Sequence, residues 1–378
     1  MTITYFSKCS LIGPSSRYRI FQFLPHLQAE GIDCAVDPLF DEAYFDILAM
    51  RPSIRLMLTI PYVLARFLKR LWHLLILGKR DLIVVEGQLF PYLPPLAERL
   101  LRWCGYPVVI EMDDAIYLTR GHAKKMPVLL AMANGAIVGN EQLASYARQF
   151  SPQVWVVPTV VDTDRFVPKR QFIGPSVGSS HDIITLVWMG LAYNLKYLGM
   201  LAPALRALQS RFHLRLRVVC SRPPQLAGIN MEFRAWAMER EVTDLQDAAI
   251  GVMPLDDTAW ARGKCGLKLL QYMAVGLPAI ASPVGVNRDI VTTGHNGFLA
   301  STVQEWYDCL EALCGRPQLR QEMGLEGRRT VEQRYSLAVW GPRLPHVYHA
   351  LVRGEPVPSG GHPRHSPVAG AEHSAGVR

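Results

Sequence analysis

Apolar positions recur along this chain with two alternating periods. Short runs rich in Val, Ile and Leu at 3–6, 33–36, 82–85, 108–111, 136–138 and 154–157 predict strands. Helix-period segments at 17–29, 92–103 and 142–150 lie between them. After a polar Gly- and Ser-rich stretch, QFIGPSVGSSH at 171–181, the pattern restarts. Strands are predicted at 183–189, 214–219, 232–236 and 249–253, with helices at 197–209 and 241–247. The segment WARGKCGLKLLQYMAVGLPAIASPVGVN at 260–287 then reads as a basic loop, a helix and a buried strand starting at Ala279. Helices at 303–314, 317–334 and 337–352 complete the pattern, and no apolar period continues past Gly354.

Strands alternating with helices imply parallel sheets covered on both faces. The expected architecture is α/β, with two doubly wound Rossmann-like domains facing a central cleft. Residues 1–168 form the first domain, 169–182 a linker and 183–335 the second domain. Residues 336–353 are expected to form a helix packing back on the first domain, and 354–378 a disordered tail.

Composition narrows the partners. A net charge of +8 suits an anionic ligand or surface. Zinc-finger spacing, an RRM-like aromatic signature and a clear helix-turn-helix are all missing, so no nucleic-acid partner is expected. The seven cysteines are scattered without a C-x-x-C pair, which predicts reduced thiols and a cytoplasmic chain. The first residues run straight into a strand pattern, so no signal peptide is expected. Residues 54–77 are leucine-rich but interrupted by Arg55, Arg66, Lys69 and Arg70, which argues against a span. Arg66, Lys69, Arg70 and His73 follow helical spacing, a cationic stripe that could rest on an anionic membrane surface or be an ordinary solvated face.

Candidate chemistry clusters at strand ends. The loop holding Arg262, Gly263, Lys264, Cys265, Gly266, Leu267 and Lys268 brings backbone N–H groups and cations to a helix start, a form suited to a diphosphate. Gly190 ends a strand and Lys196 lies near the next helix. Asp113 and Asp114 follow the 108–111 strand, where a doubly wound fold presents its chemistry, and Glu86 ends the preceding strand. Gly13, Ser16 and Arg17 form a turn that could face a phosphate or an acceptor. Asp256 and Asp257 read as a solvated loop or as partners of Arg262 and Lys264. The eleven histidines give no ligand spacing, so neither metal nor cofactor is expected.

In order and spacing, GPSSRYRIFQFLPHLQAEG, EMDDAIY, IVGNEQLASYARQF, VVPTVVDTDRF, DAAIGVMPL and KCGLKLLQYMAVGLPAIASPVGVNRDIV followed by GHNGFLA resemble the GT-B-fold glycosyltransferases of family 4, particularly bacterial polysaccharide types. The resemblance covers 1 to about 350 and implies transfer of a sugar from a nucleoside-diphosphate donor on the second domain to a glycan or lipid-linked acceptor on the first. It also implies retention of configuration without a metal. Gly263–Leu267 would then hold the diphosphate with Lys264 or Lys268, Lys196 would meet the phosphates, and Asp113 or Asp114 would contact the transferred sugar.

Members of that family commonly carry two glutamates separated by seven residues, for sugar and ribose. Here those positions are Gly263 and Gln271, and Leu191 stands where an Arg is frequent. Gln271 retains the capacity to bind a ribose hydroxyl. The expectation is therefore a glycosyltransferase of surface polysaccharide or glycolipid synthesis, on the cytoplasmic membrane face. A non-catalytic donor-binding subunit and a sugar-nucleotide epimerase are the alternatives.

Overall fold

The structure is a computed structural model that describes residues 1–169 and 183–357. The expected linker from 170 to 182 and the expected tail from 358 onward lie outside the described residues.

The first sheet contains β1 (Thr2–Cys9), β2 (Asp33–Phe40), β3 (Leu82–Glu86), β4 (Val108–Met112), β5 (Gly135–Val138) and β6 (Val154–Val156). All are parallel, in the order β2-β1-β3-β4-β5-β6. Alternation assigns the side chains to two cores. Ile83, Val85, Val108 and Ile110 join one, and Leu82, Val84 and Val109 join the other. Such strands bury both faces, so they read as continuous apolar runs.

The second sheet contains β7 (Ile184–Met189), β8 (Leu214–Cys220), β9 (Met231–Ala235), β10 (Ile250–Met253), β11 (Ala279–Ala281) and β12 (Gly297–Leu299). It is also parallel, in the order β12-β11-β10-β7-β8-β9. Strand order reverses beside β1 in one sheet and beside β7 in the other. Crevices for ligands open at the carboxyl ends of strands at such points.

The last helix, Arg343–Arg353, lies on the first sheet, where Leu344, Val347, Tyr348 and Leu351 share a core with Ile3 and Tyr5. The Tyr5 and Tyr348 rings meet edge-on, 6.1 Å between centroids. All seven cysteines are free thiols.

Helix boundaries differ from the sequence pattern where proline intervenes. The 17–29 segment divides into Pro14–Arg19, a 3-10 turn Phe21–Phe23 and Leu24–Ala29, since Pro25 has no N–H to continue a helical ladder. Pro342 likewise separates Leu337–Trp340 from Arg343–Arg353. The segment before Ala202–Leu208 is a 3-10 helix, Ala192–Met200. The 92–103 helix begins only at Leu96.

The cationic stripe is corrected at three of its four residues, while Lys69 stays exposed. In the helix Pro52–Leu75, Arg66 donates to the carbonyls of Leu39 and Pro38 at 2.7 and 2.6 Å and pairs with Asp41 at 2.9 Å. Arg70 is buried and donates to Ser7 and Asp37 carbonyls at 2.7 and 2.5 Å, while His73 lies 3.1 Å from Asp37. These side chains therefore turn inward, because the ends of β1 and β2 present carbonyls and Asp37 that need cationic donors. Among the described residues, no helix is long and apolar enough to cross a membrane.

Candidate active site

The basic loop of the second domain is seated on the first. Thr258 caps the short helix Ala259–Arg262, and the chain then turns at Gly266, at φ 71°, into the helix Leu267–Ala274. A left-handed backbone at this point favours glycine. Leu269, Leu270 and Met273 anchor that helix in the core, each burial contributing roughly 1.5–3 kcal/mol. Its first-turn N–H groups have no intrahelical acceptors.

Three contacts from the first domain hold the loop. Asn140 caps the helix Glu141–Ala147 through its Oδ1, and its Nδ2 donates to the carbonyls of Gly263 and Lys264 at 2.9 and 3.2 Å. Cys265 Sγ donates to the Asp113 carbonyl at 3.1 Å; burial, then Asp113, pushes its thiol far up, so it is no nucleophile. Gly263 meets Ala115 so closely that a Cβ there would lie 2.6 Å from the alanine's.

That contact gives a physical reason for the missing glutamate. No side chain fits at 263 while the domains hold this arrangement. Gly263→Glu is accordingly expected to lower the unfolding midpoint, by about 1–3 kcal/mol of overpacking, and to leave transfer no faster. Thermal unfolding and a rate measurement check it, and a faster, equally stable variant would contradict the contact.

Cations and carboxylates converge across the cleft. Lys264 Nζ lies 3.8 Å from Asp114 Oδ1 and over the rings of Trp260 and Tyr193, at 5.6 and 5.7 Å. Lys268 Nζ lies over Trp188 at 5.8 Å. Gly190 makes this possible, since a Cβ there would be 2.7 Å from Lys268 Cε and 2.9 Å from the Trp188 ring. Burial, reinforced by Lys264, lowers the Lys268 ammonium to about 8. Burial, reinforced by Asp113, raises Asp114 to about 6 against the pull of Lys264. Glu86 is also raised to about 6 by burial, although it accepts from Ser16 Oγ at 2.7 Å and from the Lys8 N–H at 2.9 Å.

Other expected site residues stand elsewhere. Arg262 is exposed and pairs with Asp257 at 2.6 Å, held by that carboxylate rather than by the cradle. Lys196 is exposed over Tyr197 at 4.9 Å. Gly13 serves a tight packing contact, for a Cβ would come within 2.4 Å of the Cys9 Cβ. Ser16 is committed to Glu86 and Arg17 to Glu241, whose Oε1 it reaches at 2.9 Å. The anion that Arg17 faces is thus a carboxylate of the second domain, although Arg17 Nε and Nη1 have no partner among the described residues. Gln271 is buried; its Nε2 donates to Tyr18 Oη at 2.9 Å and to Glu241 Oε1 at 3.0 Å, so its amide N–H groups bind the domains together. Arg165 completes this network on Glu241 Oε2 at 2.9 Å.

Asn140, Glu241, Trp188 and Tyr193 were not legible as site residues. Asn140 has the signature of a helix cap, which accounts for only one end of its amide. Among the described residues, no group of three or more His, Cys, Asp or Glu side chains could hold a metal ion.

Comparison with known proteins bears on the fold that carries this site. Residues 183–316 match the family model for glycosyl transferases group 1. The fold is similar to that of sucrose-phosphate synthase from Thermosynechococcus elongatus, at 16% identity and TM-score 0.66, covering 94% of this chain and 100% of that one. A glycosyltransferase from Rickettsia africae gives 12% identity and TM-score 0.69, over 93% and 98%. HepE from Anabaena, in complex with UDP and glucose, gives 13% and 0.67, over 93% and 100%. At these identities the similarity establishes the GT-B fold. No curated protein matches the sequence.

Proposed function

We propose that this chain, a group 1 glycosyltransferase with the GT-B fold, transfers a sugar from a uridine-diphosphate donor to a glycan or lipid-linked acceptor of surface polysaccharide synthesis, at the cytoplasmic face of a membrane. The observation that carries it is the convergence of Lys264 and Lys268 with the Leu267–Ala274 helix start, opposite Asp113 and Asp114. The related HepE was solved with UDP-glucose, which makes a uridine donor the first to test.

In this reading the diphosphate lies against the N–H groups of 266–268. Negative charge grows on it as the glycosidic bond breaks, and Lys264 and Lys268 stabilise it from fixed positions. These two cations supply the charge that the departing diphosphate requires, and metal independence and retention of configuration are part of the same proposal. In the same reading Asp113 and Asp114 contact the transferred sugar from the first domain, on the segment whose Ala115 packs against Gly263.

The pH dependence follows from two groups. Asp114, raised to about 6, loses its charge and its hold on Lys264 as pH falls below that value. Lys268, lowered to about 8, loses its charge as pH rises past it. A bell-shaped rate with limbs near 6 and 8 is expected. A melting-shift screen with UDP- and GDP-sugars, followed by rates across pH 5–9, tests both parts. Absence of any shift would end the donor reading, and a flat profile would remove Asp114 and Lys268 from it.

The occupied N–H groups of Gln271 favour one second reading, a donor-binding subunit that assists a partner enzyme. Donor-dependent stabilisation with no transfer to any acceptor would select it.

A further inference from the structure

With Arg66, Arg70 and His73 turned inward, the opposite face of the Pro52–Leu75 helix is left uncovered, and that face is apolar. Leu56, Met57, Ile60, Leu64, Leu68 and Leu75 are between 58% and 69% exposed. The neighbouring helix Leu96–Trp103 extends the same surface with Leu96, Leu100 and Trp103, the last 84% exposed. The two helices lie on one side of the first sheet, since Phe67 and Leu74 of one share a core with Ala97 and Leu101 of the other. Toward the cleft, Phe67 meets Phe90 edge-on at 5.1 Å between centroids, and the following Tyr92, 75% exposed, rests on His122 beyond the end of β3. So many large apolar side chains exposed on two helices that share a core mark a docking site rather than ordinary solvent exposure.

Charge decides the occupant. Between Ile47 and Arg80 the sequence has no Asp or Glu, and Arg51, Arg55, Lys69 and Lys79 are exposed around the apolar face. Two copies meeting symmetrically on this surface would bring like charges together. An anionic bilayer offers the opposite charge at its headgroups and an apolar layer beneath. Trp72 and Trp103 also suit that boundary, because an indole buries its ring while its N–H reaches the headgroup level.

We infer that the outer face of the Pro52–Leu75 and Leu96–Trp103 helices is a docking surface for an anionic phospholipid bilayer, which it enters edgewise without spanning. Resting on the proposed function, in which the first domain takes the acceptor, docking there sets the lip of the cleft at Tyr92 and Leu93 against the membrane. Leucine and tryptophan side chains anchor the surface, and Arg55 and Lys69 draw it to anionic lipid. The two cations of the helix that the sequence pattern also placed on lipid, Arg66 and Arg70, hold it to the protein instead.

Flotation of the full-length chain with vesicles tests this without turnover, so its outcome is separate from that of the donor screen. Vesicles of phosphatidylcholine with about one third phosphatidylglycerol are expected to carry the chain, and pure phosphatidylcholine to carry far less. Leu64→Glu with Leu68→Glu, both solvent-facing, is expected to cut partitioning about tenfold or more while the UDP-sugar melting shift stays unchanged. Arg55→Glu with Lys69→Glu is expected to abolish the preference for phosphatidylglycerol. Equal partitioning of the leucine pair variant would overturn the inference. So would failure to float on either vesicle, including the case in which ultracentrifugation finds a dimer that the leucine pair variant dissolves.

Discussion

Lys268→Met is expected to lower transfer about 100- to 1000-fold while the chain stays folded and melts no earlier than the parent. The loss follows from position. Lys268 is the cation that Gly190 admits beside Trp188 at the start of the Leu267–Ala274 helix, where the proposed function puts the departing diphosphate. The retained stability follows from the same burial. An ammonium lowered from 10.5 to about 8 is held charged at neutral pH against a desolvation cost that the unfolded chain does not bear. That cost is fully present below about 8 and fades as pH rises toward the unfolded value, so methionine removes it at pH 7. Rates with a saturating donor and a thermal melt at pH 7 and pH 10 check both halves. An unchanged rate would take Lys268 out of the mechanism, and a large loss of stability would mean that its charge is balanced by a partner.

Glu241→Leu is expected to be the most destabilising single change in the cleft, about 3–5 kcal/mol. Glu241 is 1% exposed and is held by Arg17, Tyr18, Arg165 and Gln271, so three of its partners belong to the first domain and one to the second. Removing it leaves the Arg17 guanidinium, already short of partners at Nε and Nη1, buried without its carboxylate. The network spans the domains, so the loss is expected to appear twice: as a lower midpoint in chemical unfolding and as a larger radius of gyration in solution scattering. Glu241→Gln keeps hydrogen bonding with Arg17 and should recover part of both. A leucine variant with parental midpoint and size would show that the domains are held by the Asn140 and Cys265 contacts alone.

These two residues also mark how far the sequence could be read. Lys268 was legible, because a cation beside glycines at a helix start is a local pattern with a local physical reason. Glu241 was not. It opens an ordinary short helix, and nothing near it announces that Arg17 and Arg165 arrive from more than seventy residues away. Gln271 shows the converse: its chemistry permits a ribose contact, but Tyr18 and Glu241 take its N–H groups first. The stripe Arg66, Lys69, Arg70, His73 shows it again. Helical spacing predicts which residues share a side of a helix, whereas which side meets the protein depends on what the sheet offers, here bare carbonyls and Asp37 at the ends of β1 and β2.

By itself, then, the sequence determined the elements with a strong apolar period, the two parallel sheets that their alternation requires, and the basic glycine-containing loop that opens a helix at 263–268, all of which depend on neighbours along the chain. Only the tertiary structure decided which cations face the cleft and which face carbonyls or acids, why no side chain fits at Gly263, and which surface of the first domain is left apolar. Each of those outcomes rests on charge pairing or close contact between segments far apart in sequence, where pairwise distance rather than local spacing sets the energy.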